Sequence, residues 1–327
     1  MKILITGGTG FIGRTLCPSL VSKGHELCVL TRSVIRARRL LPREKLRFIT
    51  DFSQIKPEES FDAVINLAGA PIAKRWTSTY KKKLLDSRVK LTERLIARLA
   101  TCPHPPAVFI SGSAIGYYGP QGDEILAESA AIQPGFSHEL CLAWEQAALK
   151  ANATRICLLR TGIVLGKQGG ALQRMRLPFL FGMGGPIGEG TQWMSWIHIS
   201  DMVRVIHFCL EQPALQGPIN ATSPQPATNK DFAKTYGKVL HRPAILPMPA
   251  FIVRLIFGEM GEELLLTGQR VVPTRLIEHG FSFVYPEKNS LRSCSFGFVG
   301  CAPRNSHVSV YIPVTPCFAA SPKKHLL

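Results

Sequence analysis

Residues 1–16 read MKILITGGTGFIGRTL: the aliphatic run Ile3, Leu4 and Ile5 is followed by glycines at 7, 10 and 13. A strand that ends in Gly-x-x-Gly-x-x-Gly and passes straight into a helix is a phosphate-binding turn. Gly7 permits the tight turn, Gly10 lets a pyrophosphate approach the backbone, and Gly13 lets the helix pack close to the strand. The helix N-terminus adds free N–H groups and the positive end of its dipole. Downstream, Ile12, Leu16, Leu20 and Val21 share one helical face, and Gly24 ends the pattern.

Outward from this turn the same grammar repeats. The runs KILIT, HELCVLTR, LRFITD, DAVINLAG, AVFISGS and TRICLLRTG are β-rich and separated by segments able to carry helices. Their apolar residues are continuous rather than alternating, as expected of strands covered on both faces. The fold class read from this is α/β: a Rossmann doubly wound parallel sheet with a smaller C-terminal substrate domain. One helix is expected from about Thr79 to Ala100, carrying Leu84, Leu91, Leu95 and Leu99, and another around 138–151. Residues 1–165 read as the dinucleotide-binding domain, with its sheet completed by parts of 190–222. Residues 166–286 read mainly as the substrate domain, where GPINATSP, RPAILPMP and TRLIEHGFSF suggest a small mixed unit. From Glu287 to Leu327 the sequence lacks helical periodicity and holds isolated prolines, which predicts a poorly ordered tail.

The second strand bears on the choice of dinucleotide. An acidic residue at its end would hold the ribose hydroxyls of NAD, whereas this chain has Thr31 and Arg32, with Arg36, Arg38 and Arg39 behind them. A guanidinium suits a 2′-phosphate, so NADP(H) is the expected cofactor.

Bulk properties narrow the class further. With 327 residues, 46% of them hydrophobic, the chain can bury a sizeable core, and disorder throughout is excluded. The net charge of +17 gathers in RSVIRARRLLPREKLR, from Arg32 to Arg47, and between Lys74 and Lys90. No nucleic-acid module accompanies these clusters, so the expectation is a solvated surface near an anionic small molecule, with no nucleic-acid partner. Nine cysteines without a Cys-x-x-Cys pair point to reduced thiols and to no metal site. The N-terminus does not resemble a signal peptide and no apolar run approaches the length of a span, so the sequence reads as cytoplasmic with no membrane partner.

Several motifs in fixed order now resemble the extended short-chain dehydrogenase/reductase superfamily: TGGTGFIG (6–13), NLAG (66–69), SGSAIGYYG (111–119), LLRTGIVLG (158–166) and WIHISDM (196–202). NLAGAPI, Arg75-Trp76, Ser87-Arg88, GMGGPIGEG and WIHI are similar to its atypical branch, the epimerase family related to nucleotide-sugar epimerases. The likeness runs from Met1 to about Pro286. It implies an NADP(H)-dependent oxidoreductase or epimerase acting on a small polar, sugar-like molecule. Carried over by residue, it places Gly7, Gly10, Phe11, Ile12 and Gly13 at the pyrophosphate and Thr31 with Arg32 at the adenosine phosphate. Leu67, Ala68, Gly69 and Arg88 line the cofactor, and Ile163 sits toward the nicotinamide.

The catalytic pattern departs from that family. Its tyrosine and lysine slots, counted back from Glu145, fall on Ser137 and Cys141. Ser113 keeps the serine slot, and Tyr117 or Tyr118 could supply a phenol from another direction; His138 is the remaining group suited to proton transfer. The alternative is a catalytically inactive NADP(H)-binding sensor or regulator. His198 reads as structural, bonding backbone and helping Asp201 cap the next helix.

Overall fold

Ile3 and Ile5 pack in one core layer and Leu4 in another, which is why the first strand is apolar at every position. The computed structural model describes residues 1–42, 44–153 and 155–287. Seven strands form the central sheet: β1 Lys2–Thr6, β2 Glu26–Leu30, β3 Leu46–Ile49, β4 Ala63–Asn66, β5 Val108–Ala114, β6 Arg155–Thr161 and β7 Gly217–Ala221. Their order is β7-β6-β5-β4-β1-β2-β3, and every neighbouring pair is parallel. The chain winds outward from β1 to β3, then crosses back to β4 on the other side of β1. The carboxyl ends of β1 and β4 therefore flank the switch point where open α/β sheets bind ligands.

Helix α1 (Phe11–Ser22) follows β1, and α2 (Val34–Leu40) follows β2, capped by Ser33, whose hydroxyl accepts from the Arg36 N–H. After β4 come α3 (Ser78–Leu85) and α4 (Leu91–Leu99). The single helix expected over Thr79–Ala100 is interrupted by a π-helical turn at Asp86–Lys90, a widened turn that hydrophobic periodicity does not register. Helix α5 (Phe136–Leu149) lies between β5 and β6 in sequence.

Beyond β6, helix α6 (Gly170–Leu180) and helix α8 (Asn229–Leu240) share a smaller core in which Leu172 and Phe179 meet Trp196, Phe232 and Tyr236. Between them in sequence, α7 (Ile199–Glu211) packs Met202, Val205 and Ile206 against the central sheet. The segments GPINATSP and TRLIEHGFSF, read in the sequence as pieces of a small mixed unit, both contribute to the large core. Gly217–Ala221, inside the 190–222 region expected to complete the sheet, is its edge strand, and Leu276 and Phe281 belong to the large core rather than the small one. The tail expected from Glu287 lies, from Lys288 onward, outside the described residues.

His198 and Asp201 exchange their expected roles. The Nδ1 of His198 accepts from the Ser200 N–H at 3.1 Å and itself caps α7. Asp201 instead accepts the N–H groups of Val284 and Tyr285 at 3.1 and 2.8 Å and pairs with Arg204 at 2.9 Å. Asp201 thereby fastens the C-terminal described segment to α7, while Tyr285 lies 3.8 Å from the His198 ring.

Candidate functional site

Gly7 and Gly13 of the first turn are there because nothing larger fits. Gly7 has φ +74°, and a Cβ on it would lie 2.6 Å from the Leu67 carbonyl. A Cβ on Gly13 would sit 2.5 Å from the Gly7 oxygen and from Gly8 Cα. The turn is closed by the Gly10 N–H donating to the Gly7 carbonyl at 2.9 Å. Helix α1 starts from Gly10 with no side-chain cap and no acidic residue in its first turn, so its leading N–H groups are left to an outside anion.

Phe11 is held from above by the turn after the short strand Ile163–Gly166. Added Cβ atoms at Gly166, Gly169 and Gly170 would each lie within 3.1 Å of its ring, and Arg14 donates to the Gln168 carbonyl at 3.0 Å. Ile12 is half-buried against the large core, and Ile163 is half-buried beside Trp196 at the smaller one.

Across the switch point a buried polar chain ties β1 to β4. The Thr6 hydroxyl donates to Asn66 Oδ1 at 2.6 Å, Asn66 Nδ2 donates to Thr92 at 2.7 Å, and Trp144 Nε1 donates to the same threonine at 3.2 Å. The Ala68 N–H donates back to Thr6 at 3.2 Å. These bonds fix Leu67, Ala68 and Gly69 beside the glycine turn. Arg88, presented by the π-helical turn, donates to the Ala70 and Leu84 carbonyls and lies against Gly69 and Trp144. Burial lowers its pKa, and among the described residues it forms no ion pair with a carboxylate.

At the end of β2, Thr31 is buried and its N–H joins the Ile49 carbonyl at 2.9 Å. Arg32 is exposed, and neither it nor Arg36, Arg38 or Arg39 enters an ion pair among the described residues. The structure thus gathers the glycine turn, Thr31 with Arg32, and Leu67–Gly69 along the carboxyl ends of three adjacent strands.

The end of β5 is organised by a pair that the sequence reading missed. Glu145 and Arg160, with side chains 6% and 5% exposed, form a bidentate contact of 2.9 and 3.0 Å. Ser113 donates to Glu145 at 2.6 Å. The guanidinium also lies 3.5 Å from the Tyr117 ring centroid and donates to the Tyr118 hydroxyl at 3.1 Å. Arg160 draws its proton more tightly, because the Glu145 carboxylate outweighs its desolvation. The available signal was a lone arginine inside the otherwise apolar ICLLRTG run, since a charge in a two-sided strand needs a buried partner.

The two tyrosines separate clearly. Tyr118 is fully buried, its hydroxyl donating to Asn220 at 2.7 Å while accepting from Arg160, and burial raises its pKa. That hydroxyl belongs to the internal network, its proton given to Asn220 and its oxygen accepting from Arg160. Tyr117 is half-buried, and its hydroxyl has no hydrogen-bond partner among the described residues. His138 is buried, with Nδ1 2.6 Å from the Tyr117 carbonyl.

The vacated tyrosine slot is filled from the far end of the chain. Glu263 accepts the Phe136 and Ser137 N–H groups at 3.0 and 2.9 Å, and the Ser137 hydroxyl also donates to it. One carboxylate thus terminates α5 where the family places a phenol. In the lysine slot, Cys141 is buried, and desolvation pushes its thiol up to about 11.

Comparison with known proteins agrees with this geometry. The profile of the NAD dependent epimerase/dehydratase family matches residues 3–221, and a domain of unknown function, DUF1731, matches 248–290. The chain is 39% identical over 300 residues to the chloroplastic epimerase family protein SDR39U1 homolog of Arabidopsis thaliana, covering 90% of this chain and 86% of that one. It is 36% identical to the human epimerase family protein SDR39U1, covering 88% and 97%. The crystal structure of the human protein (isoform 2) with NADPH is similar with a TM-score of 0.82 at 35% identity, covering 90% of this chain and 99% of that one. A UDP-glucuronic acid 4-epimerase from Bacillus cereus shares the fold with a TM-score of 0.72 at 18% identity.

Proposed function

Because the chain belongs to the NAD dependent epimerase/dehydratase family, we propose that it is an NADP(H)-binding protein of oxidoreductase or epimerase type. The observation that carries this reading is the glycine cradle. Backbone fills the space where Cβ atoms would stand at Gly7 and Gly13, beside a helix N-terminus that no side chain caps. Gly10, Phe11, Ile12 and Gly13 would hold the pyrophosphate. Arg32, exposed and without a carboxylate partner among the described residues, would take the 2′-phosphate, and Leu67, Ala68, Gly69, Arg88 and Ile163 would line the rest. The human relative crystallised with NADPH supports the choice of dinucleotide.

NADP(H) supplies the hydride chemistry; the protein supplies positioning and a proton path. Ser113, its own proton committed to Glu145, can accept a hydrogen bond from a substrate hydroxyl. Tyr117 is the phenol with a hydroxyl available to give or take a proton, while Arg160 fixes its ring. A small polar, sugar-like molecule would lie between this end of β5 and the loop 182–190.

A second reading has its own support. Ser137 and Cys141 stand where the proton-relaying pair would be, and both are already engaged by their surroundings, as suits a nucleotide-binding regulator without turnover. Titration with NADPH, followed by nicotinamide absorbance with a panel of carbonyl compounds, separates the two. Turnover lost in Ser113→Ala and Tyr117→Phe supports the enzyme. Tight NADPH binding with no turnover on any compound supports the regulator, and a folded protein with no affinity for NADPH overturns both.

A further inference from the structure

Apart from Arg88, the basic cluster between Lys74 and Lys90 is not used by the nucleotide site. It stands instead beside a concentration of exposed apolar side chains. Helix α9 (Ala250–Phe257) turns Val253 inward and leaves Phe251 and Leu255, one turn apart, 67% and 73% exposed. Ahead of it, Ile245 is 81% and Leu246 57% exposed, and at the end of α6 Phe181 and Met183 are 74% and 60% exposed. Isolated exposed apolar residues are ordinary, but several large ones on adjoining segments mark a contact surface.

A closed circuit of contacts makes these segments one surface. The Met248 N–H donates to the Pro186 carbonyl at 2.9 Å and the Gly188 N–H to the Met248 carbonyl at 2.8 Å. Arg242 Nε donates to the Leu180 carbonyl at 3.0 Å, joining the 241–249 segment to α6. Arg174 on α6 donates to the Ala73 carbonyl at 2.7 Å, and Arg75 donates to the Leu255 carbonyl at 3.0 Å. The 73–75 turn therefore joins α6 to α9 and brings the basic cluster to the apolar face.

The charge of this face is one-sided. Lys74, Lys82, Lys83 and Arg176 form no ion pair among the described residues, and Arg75 bonds only backbone carbonyls. Of the carboxylates nearby, Glu259 is held by Lys81, Glu262 by Arg254 and Asp86 by Lys90, Glu263 accepts the Phe136 and Ser137 N–H groups, and Glu189 forms no ion pair among the described residues. Aliphatic and phenylalanine side chains bordered by unpaired lysine and arginine complement an anionic bilayer surface, where the apolar groups enter the headgroup boundary and the cations meet lipid phosphates and carboxylates.

We propose that the face formed by α9, the 245–249 segment and the end of α6, with the 74–83 basic cluster, docks on an anionic lipid surface. No helix among the described residues is long and apolar enough to cross a membrane. The sequence expectation of no membrane partner came from the length of apolar runs, which is a test for spanning and not for lying on a surface.

Flotation of the full-length chain with vesicles tests this. Phosphatidylcholine vesicles carrying phosphatidylserine should retain the protein, phosphatidylcholine alone should not, and high salt should weaken retention. Phe251→Ser with Leu255→Ser leaves net charge unchanged and should lower partitioning by roughly tenfold or more. Lys74→Gln, Lys82→Gln and Lys83→Gln should each lower it about fivefold. Thermal melting shows that the variants fold, and Ile245→Ser with Leu246→Ser provides a second apolar variant. Three results overturn the proposal: no retention by phosphatidylserine vesicles; retention undiminished by both apolar variants, which places binding elsewhere in this +17 chain; or concentration-dependent self-association dispersed by the same variants without lipid binding, which makes a second copy the occupant.

Discussion

The two ends of the candidate site are built on different principles. At the carboxyl ends of β1 and β4 the recognition surface is backbone, shaped by what glycine lacks, and three residues at three-residue spacing announce it. At the end of β5 it is side chain, and the residues that organise it come from α5, β6 and the segment after α9. The first kind of site is local in sequence and the second is assembled by tertiary contact. If that distinction is right, the two ends respond differently to substitution.

The largest expected effect is on the side-chain end. Glu145→Gln keeps the shape and an acceptor for Ser113 but removes the charge facing Arg160 in a nearly dry environment. Leaving a buried cation without its counterion costs about 3–5 kcal/mol, so urea unfolding should show a loss of that size. A change below about 1 kcal/mol would mean that water reaches the pair, contrary to the burial described. Gly13→Ala sharpens the contrast from the other end. Its Cβ would meet Gly7 and Gly8 backbone at 2.5 Å, and the turn must move. NADPH affinity, measured by titration calorimetry, should fall by roughly a hundredfold or more, as expected when a close-packed backbone cradle is displaced.

A pH experiment tests the junction between these ends and the C-terminal segment. Burial pushes His198 down to about 4, outweighing the opposite pull of Asp201, and its neutral Nδ1 is the cap acceptor for α7. Protons therefore bind the unfolded chain more readily than the folded one between that value and the ordinary histidine value of about 6.5. The contribution is complete above the upper value and is lost as pH falls through the window, on the order of 3 kcal/mol in total. Burial also lowers His207, which adds in the same direction. His198→Asn preserves a capping acceptor and should flatten the acid limb of stability against pH relative to the parent. Parallel limbs in the two proteins would remove His198 as the source.

The parts of this molecule legible in the sequence were those in which one segment carries its own reason. Six strands and the first helix follow from apolar runs, and the glycine turn follows from spacing. The π-helical turn escaped because a widened turn leaves no mark in the apolar pattern. Arg160 was half-legible, as a charge in a dry strand, but its partner Glu145 was read only as a marker for counting slots. Glu263 gave no signal at all. It lies 126 residues from Ser137 in sequence, and its role exists only once the chain has folded. The surroundings of His138 and Tyr118 were illegible for the same reason, since burial and hydrogen-bond partners are tertiary properties.

A smaller effect probes the exposed edge of the cradle. Arg32→Ala should weaken NADPH by roughly tenfold while leaving NADH nearly unchanged, because only the former offers a 2′-phosphate to the guanidinium. Equal losses for both dinucleotides would assign Arg32 to the shared part of the cofactor.

The smallest effect is the most informative about how separate the two ends are. Glu263 serves the start of α5 as a cap serves any helix, through two backbone N–H groups, and it also accepts from the Ser137 hydroxyl. Glu263→Gln retains an acceptor but loses the charge beside the helix dipole, a change of about 1 kcal/mol in stability. Among the described residues the glycine cradle shares no contact with Glu263, being held by α1, β4 and the Thr6–Asn66 bond, so NADPH affinity should stay within about twofold for sites without shared partners. A tenfold fall in affinity would mean that the C-terminal segment sets the geometry of the nucleotide turn, and the division between a backbone end and a side-chain end would give way to one coupled site.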